Sequence, residues 1–300
     1  MHTWWMIAAH RMKIAICEAI MLEWLITPLT YQFMQRALVA GILVGILCSV
    51  IGCYVILRSM AFLGDALAHA ILPGIAIAYL LNGNLTLGAL VAAILVALGI
   101  GQISKQGTIR EDSAIGILFT AALALGVALI SSIRTYAVDL SHILFGDILG
   151  IGGGDLILTA TTGVIILTAV LLFYKQFLVI SFDPVLAATL RWPAEWIRNA
   201  LLILLALTIV VSMQTVGVGL VAAMLVTPPA TAYLLTRRLP AMMALSALIG
   251  ALSAILGLYI SYYANIVSGP AIVLTATFFF LIAYLFSPRK GILLRRLKTG

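Results

Sequence analysis

Asp65 and His69 stand four residues apart in RSMAFLGDALAHAILPGIAIAY, a run from Arg58 to Tyr79 that is otherwise almost wholly apolar. An ionisable group at membrane depth costs roughly 2.5–3.5 kcal/mol on insertion scales, so it marks a pathway or a site unless a local structural use explains it. On a helix the two side chains share one face. A carboxylate oxygen beside an imidazole nitrogen is a donor set suited to divalent manganese, zinc or iron. Asp65 as the cap of a helix that begins here, and His69 as a hydrogen-bonding contact to a neighbouring helix, would explain the same residues without an ion. The pair alone does not decide between these readings. Pro73 and Gly74 follow one turn on, where a break would free backbone carbonyls toward a cavity.

Two further stretches carry polar groups that need an explanation. In VDLSHILFGD, Asp139 and His142 are three apart on one possible helix face, with Asp147 close behind; they would guide a cation or pair with a charged partner, or serve as caps at a solvated loop end. In QTVGVGLVAAMLVTPPATAYLL, Gly217 and Gly219 permit close backbone approach, and Pro228 and Pro229 free backbone groups inside an apolar run. Such residues fit a moving element, and they fit tight helix packing equally well.

The elements that must hold these groups are set by composition. Apolar residues make up 64% of the 300 and charged ones 9%, and the mean hydropathy is +1.20, which places the chain among integral membrane proteins. The net charge of +7 lies between and after apolar runs rather than on one patch, so it reads as a topology signal rather than a nucleic-acid surface. Cys17, Cys48 and Cys53 form no CxxC pair and are expected to be small packing residues. Apolar runs of near-spanning length are expected at about 34–57, 65–81, 85–104, 113–133, 155–174, 199–215, 218–236, 241–263 and 269–287. They define an all-α, polytopic transmembrane bundle of about 8–9 spans, separated by turn and charge signals such as Asn82-Gly83-Asn84.

Three regions follow: residues 1–30, an interfacial amphipathic segment with Trp anchors; residues 31–288, the transmembrane domain; and a basic tail over 289–300. The positive-inside bias puts Arg58, Lys105, Arg110, Lys175, Arg191, Arg198, Arg237, Arg238 and the C-terminal tail in the cytoplasm. The loop 134–154 is then external. The internal loop 175–198 contains Asp183-Pro184, a helix start, and a short amphipathic helix to Leu190. That helix would dock a soluble partner or lie on the membrane surface.

Taken in order, RSMAFLGDALAHAILPG, REDSAIGILFT, VDLSHILFGDIL, SFDPVLAATL, QTVGVGLVAAMLVTPPATAYLL and SGPAIVL resemble the membrane permease of the ABC importers for manganese, zinc and iron, from about Leu29 to the tail. The resemblance implies a vitamin B12/siderophore-importer-like architecture in the bacterial cytoplasmic membrane and a homodimer of permeases. It also implies a dimer of cytoplasmic ATPases and a metal-binding protein outside. By this resemblance Asp65 and His69 are the metal positions, with no permanently bound cofactor. Ser181 to Leu190 matches the ATPase-coupling helix: Asp183 and Pro184 start it, Val185, Leu186 and Leu190 supply apolar contact, and Ala187 and Ala188 fit a groove. Arg191 adds charge at its end. Arg191, Pro229, Tyr233 and Asp147 depart from the family's usual Gly, Ala, Arg and Asn.

Other classes fit less well. A secondary metal transporter coupled to an ion gradient would need no partner, which leaves the DPVLAATL helix unexplained, and an ABC permease for a metal chelate is a further alternative. The chain contains neither HExxH nor GxxxxGK[ST], so it reads as a transport subunit whose ATP is hydrolysed by another chain.

Overall fold

In the computed structural model, residues 26–105, 110–132, 148, 150–182 and 192–287 are described. After a 3-10 turn at Thr27–Thr30, the helices are α1 (Gln32–Leu57), α2 (Phe62–Ala70), α3 (Leu72–Leu80), α4 (Leu85–Lys105), α5 (Glu111–Ser131), α6 (Gly153–Leu172), α7 (Tyr174–Phe182), α8 (Ala194–Val216), α9 (Val218–Leu235), α10 (Leu239–Ala264) and α11 (Ser268–Phe286). Among the described residues nine helical segments are long and apolar enough to cross a bilayer, with α2 and α3 together forming one of them. They coincide with the nine runs expected from hydropathy. Backbone hydrogen bonding inside each segment is what lets such sequences form helices in hydrocarbon.

α1 is the centre of the bundle. It is apolar on all sides, so it is buried along most of its length, and it packs against α10, α9, α8 and α6. Small side chains bring the axes together: Ser246 Oγ of α10 donates to Ser49 O at 3.1 Å, and a Cβ on Gly52 would collide with Leu225 O of α9. That carbonyl is available because Pro229, four residues on, has no N–H to give it. Helix ends follow the turn chemistry of the sequence. Asn82, at φ 51°, closes α3 in the left-handed conformation, with Gly83 N donating to Ala78 O at 2.8 Å. Asn84 Oδ1 then accepts from Thr86 N at 2.9 Å, capping α4.

The expected internal loop over 175–198 is shorter than hydropathy suggested. Its first part is helical, as α7, and α8 begins at Ala194 rather than near 199. The reason is burial: Phe177 is 1% exposed and meets Tyr54 of α1 edge-on, with ring centroids 5.8 Å apart. Nine residues including Lys175 and Gln176 are too short and too polar to register as an apolar run.

Candidate metal-passage site

α2 hangs from α1 by a tight turn. Ser59 adopts φ 57°, Ser59 N donates to Ile56 O and Met60 N to Val55 O, both at 3.0 Å, which is the hydrogen-bond pattern of a Schellman ending. Ala61, not Asp65, occupies the N-cap position of α2, so a capping role does not account for Asp65. It lies three residues into the helix and His69 seven, or about 4.5 and 10.5 Å along the axis from Phe62. Phe62, Asp65 and His69 form one stripe, while Leu63, Gly64, Ala66 and Leu67 on the other side are buried.

His69 Nε2 is 3.6 Å from Asp65 Oδ1, with side chains 28% and 43% exposed respectively. The separation is too long for a hydrogen bond. It is close to the roughly 3.0–3.5 Å between donors that share one ion at bond lengths of about 2.0–2.2 Å. Phe119 of α5 flanks the pair, its ring centroid 6.1 Å from that of His69 and 5.9 Å from that of Phe62. Among the described residues no group of three or more His, Cys, Asp or Glu side chains comes together. One copy of the described region therefore offers two such donors on an open face.

The helix breaks directly after the pair, at Ile71. Pro73 cannot donate to His69 O, which accepts from Ile71 N instead. The break is held from two sides: a Cβ on Gly74 would collide with Gly88 O of α4, and one on Gly126 of α5 would lie 2.7 Å from Leu72 Cβ. Gly217 separates α8 from α9 at φ 84°, ψ 163°, a region essentially closed to residues with a Cβ. Gly219 is different, since a Cβ there meets nothing within 4 Å. Pro228 and Pro229 are buried inside α9, which runs through them.

A charged node at one end of the bundle was not foreseen as a pairing. Arg58, 9% exposed at its side chain, donates from Nη2 to Glu111 Oε1 at 2.7 Å and Oε2 at 2.9 Å. Burial pushes its guanidinium below the ordinary value, and the charge and hydrogen bond of Glu111 pull it back up. Arg198 donates to Gly101 O, and Lys105 pairs with Glu195 at 2.8 Å. Arg237 and Arg238 line a pocket at the same end with Leu57 and Phe182. The partner of Arg58 is 53 residues away in sequence, and no local spacing indicates it. Asp139, His142 and Asp147, and the segment Asp183, Pro184, Val185, Leu186, Ala187, Ala188, Leu190 and Arg191, lie outside the described residues, as do residues 1–25 and the tail.

The profile of the ABC 3 transport family matches residues 30–287. The manganese transport system membrane protein MntC of Halalkalibacterium halodurans is 49% identical over 267 residues, 89% of this chain and 91% of that protein. A probable iron transport system membrane protein of Haemophilus influenzae is 39% identical over 89% of this chain and 98% of its own length. Among solved structures, PsaBC from Streptococcus pneumoniae in complex with Fab superposes with a TM-score of 0.80 at 41% identity, covering 93% of this chain and 99% of that one.

Proposed function

The chain belongs to the ABC 3 transport family, and from that premise we propose that it is the permease subunit of an ATP-driven importer that carries divalent manganese into the cell. Manganese is favoured as cargo because relatives 49%, 48% and 47% identical to this chain are named manganese transport system membrane proteins. Iron is a second cargo, on the strength of the Haemophilus influenzae relative.

The observation that carries the reading is the Asp65–His69 pair, with donors 3.6 Å apart on a face that one copy leaves half open. Ionisable groups inside a membrane face a protein interior or a water-filled path rather than lipid. A second copy about a two-fold axis would cover this face and raise the donors from two to four. Four donors of modest strength suit an ion that must also leave. Asp65 would supply a hard carboxylate oxygen and His69 an imidazole nitrogen.

Energy would enter through the cytoplasmic segment Asp183 to Leu190, whose Val185, Leu186 and Leu190 dock in a groove of the ATPase and move with it. Gly217, with Pro73 and Gly74, would be where the spans bend, and Asp139, His142 and Asp147 would face the external metal-binding protein. With the C-terminus inside, the end bearing Arg58, Lys105, Arg198, Arg237 and Arg238 is cytoplasmic.

The test is assembly. Co-expressed with the ATPase encoded for the same system and reconstituted in vesicles, the chain is expected to co-purify with it and to import manganese only when ATP is supplied. The isolated chain should show no ATPase activity. Manganese import driven by an ion gradient, with no ATPase bound, would contradict the proposal.

A further inference from the structure

Arg58 and Glu111 are more than a topology charge and a helix-terminal acid, because their pairing joins the α1–α2 junction, from which the donor-bearing helix hangs, to α5 beside it. Arg58 caps the C-terminus of α1, and α2 hangs from it by a turn through Ser59 and Met60 that is fixed by three backbone hydrogen bonds, including Leu63 N to Met60 O at 2.9 Å. Glu111 is the first residue of α5. Eight residues further along α5, about 12 Å by helical rise, Phe119 lies against His69 and Phe62. α2 and α5 are thus pinned at a charged point at the foot and an aromatic point beside the donors.

We propose that the partly buried Arg58–Glu111 pair is a positioning clasp that sets the register of α5 against α2 and, through Phe119, the orientation of His69 toward Asp65. The inference rests on the metal-passage reading of Asp65 and His69. The energetic argument concerns specificity rather than stability. Replacing a buried ion pair by apolar residues of similar volume is often neutral or stabilising, and the best-attested use of such a pair is to fix register. An aromatic contact between two apolar helices tolerates sliding. An acid held by one buried guanidinium nitrogen at 2.7 and 2.9 Å does not. Arg58 is also poorly placed to do anything else: its side chain is 91% removed from solvent, and Nη1 has no hydrogen-bond partner among the described residues. It is neither a free surface charge nor a group in reach of a passing ion.

The experiment uses the complete complex in vesicles and compares wild type with Glu111→Gln, Glu111→Asp and Asp65→Ala for manganese and zinc uptake over a range of metal concentrations. If the clasp positions the donors, Glu111→Gln lowers manganese uptake by about 10- to 100-fold, as loss of an outer support for a metal ligand does. It also shifts the manganese-to-zinc ratio, while the complex assembles and its metal-independent ATPase rate is kept. Glu111→Asp, retaining the charge, recovers a substantial part of both. A purely structural role would lower the amount of complex without moving the ratio, and that result overturns the proposal. Uptake and ratio within two-fold of wild type in Glu111→Gln overturn it as well. Should Glu111→Gln not assemble, Glu111→Asp decides: if the clasp sets the register, the shorter acid keeps part of the uptake with a ratio still shifted from wild type, and a ratio within two-fold of wild type overturns the proposal. Asp65→Ala separates the two layers: normal transport in that variant removes the underlying site reading, whereas loss there with normal Glu111→Gln removes the clasp only.

Discussion

Asp65 and His69 are the residues at which stability and function are expected to pull apart. Neither is the N-cap of α2, and their shared contact at 3.6 Å is not a hydrogen bond, so their polar groups add little to holding α2 in place, and the ring contact of His69 with Phe119 is one that an apolar side chain can replace. His69→Leu should therefore leave the thermal midpoint of the purified protein in detergent unchanged or raised, because a polar group leaves the membrane interior. The same variant should lose manganese uptake by at least about 10-fold, the scale on which metal sites lose activity even when only their supports are removed. A lower midpoint with retained uptake would mean that His69 is a packing residue. The pair was legible in the sequence because charge stands out in an apolar run. Arg58 stands out for the same reason, but its pairing with Glu111 is not legible, since a 53-residue separation gives no periodic signal.

Helices and their junctions show why two glycines in VGVG are not equivalent. Gly217 holds φ 84°, ψ 163°, whereas Gly219 faces open space. Gly217→Ala is expected to destabilise by about 1–3 kcal/mol, the cost of forcing a side chain into that backbone region, and Gly219→Ala by less than about 0.5 kcal/mol. Denaturant titration in detergent checks both; equal effects would contradict the geometry. A third glycine tests packing rather than backbone: Gly52→Ala drives a Cβ into Leu225 O and should cost about 1–3 kcal/mol as overpacking. The nine spans were legible because each carries its own apolar length. The distinctions among glycines were not, because they depend on what the facing helix presents. α7 was missed because its stability comes from Phe177 and Ile180 buried against α1 and α8, not from its own sequence.

For the molecule as a whole, the chain belongs to the ABC 3 transport family, and the proposed coupling to an ATPase is tested at the segment Asp183 to Leu190. Ala187→Trp, in the coupling segment, should abolish capture of the ATPase in a pull-down while leaving the permease inserted and dimeric; wild-type capture would place the coupling surface elsewhere. That segment lies outside the described residues; Asp183-Pro184 and the short amphipathic pattern after it raise the expectation of a helix, and its coupling use is implied by the family resemblance rather than by spacing. The central claim is that manganese passes at Asp65 and His69. Its most direct measurement is the initial rate of ATP-dependent radioactive manganese uptake by vesicles bearing the full complex, with Asp65→Ala compared at equal complex content and equal ATPase capture. Uptake reduced to the level seen without ATP is the predicted result. An Asp65→Ala complex that imports manganese at the wild-type rate would contradict it.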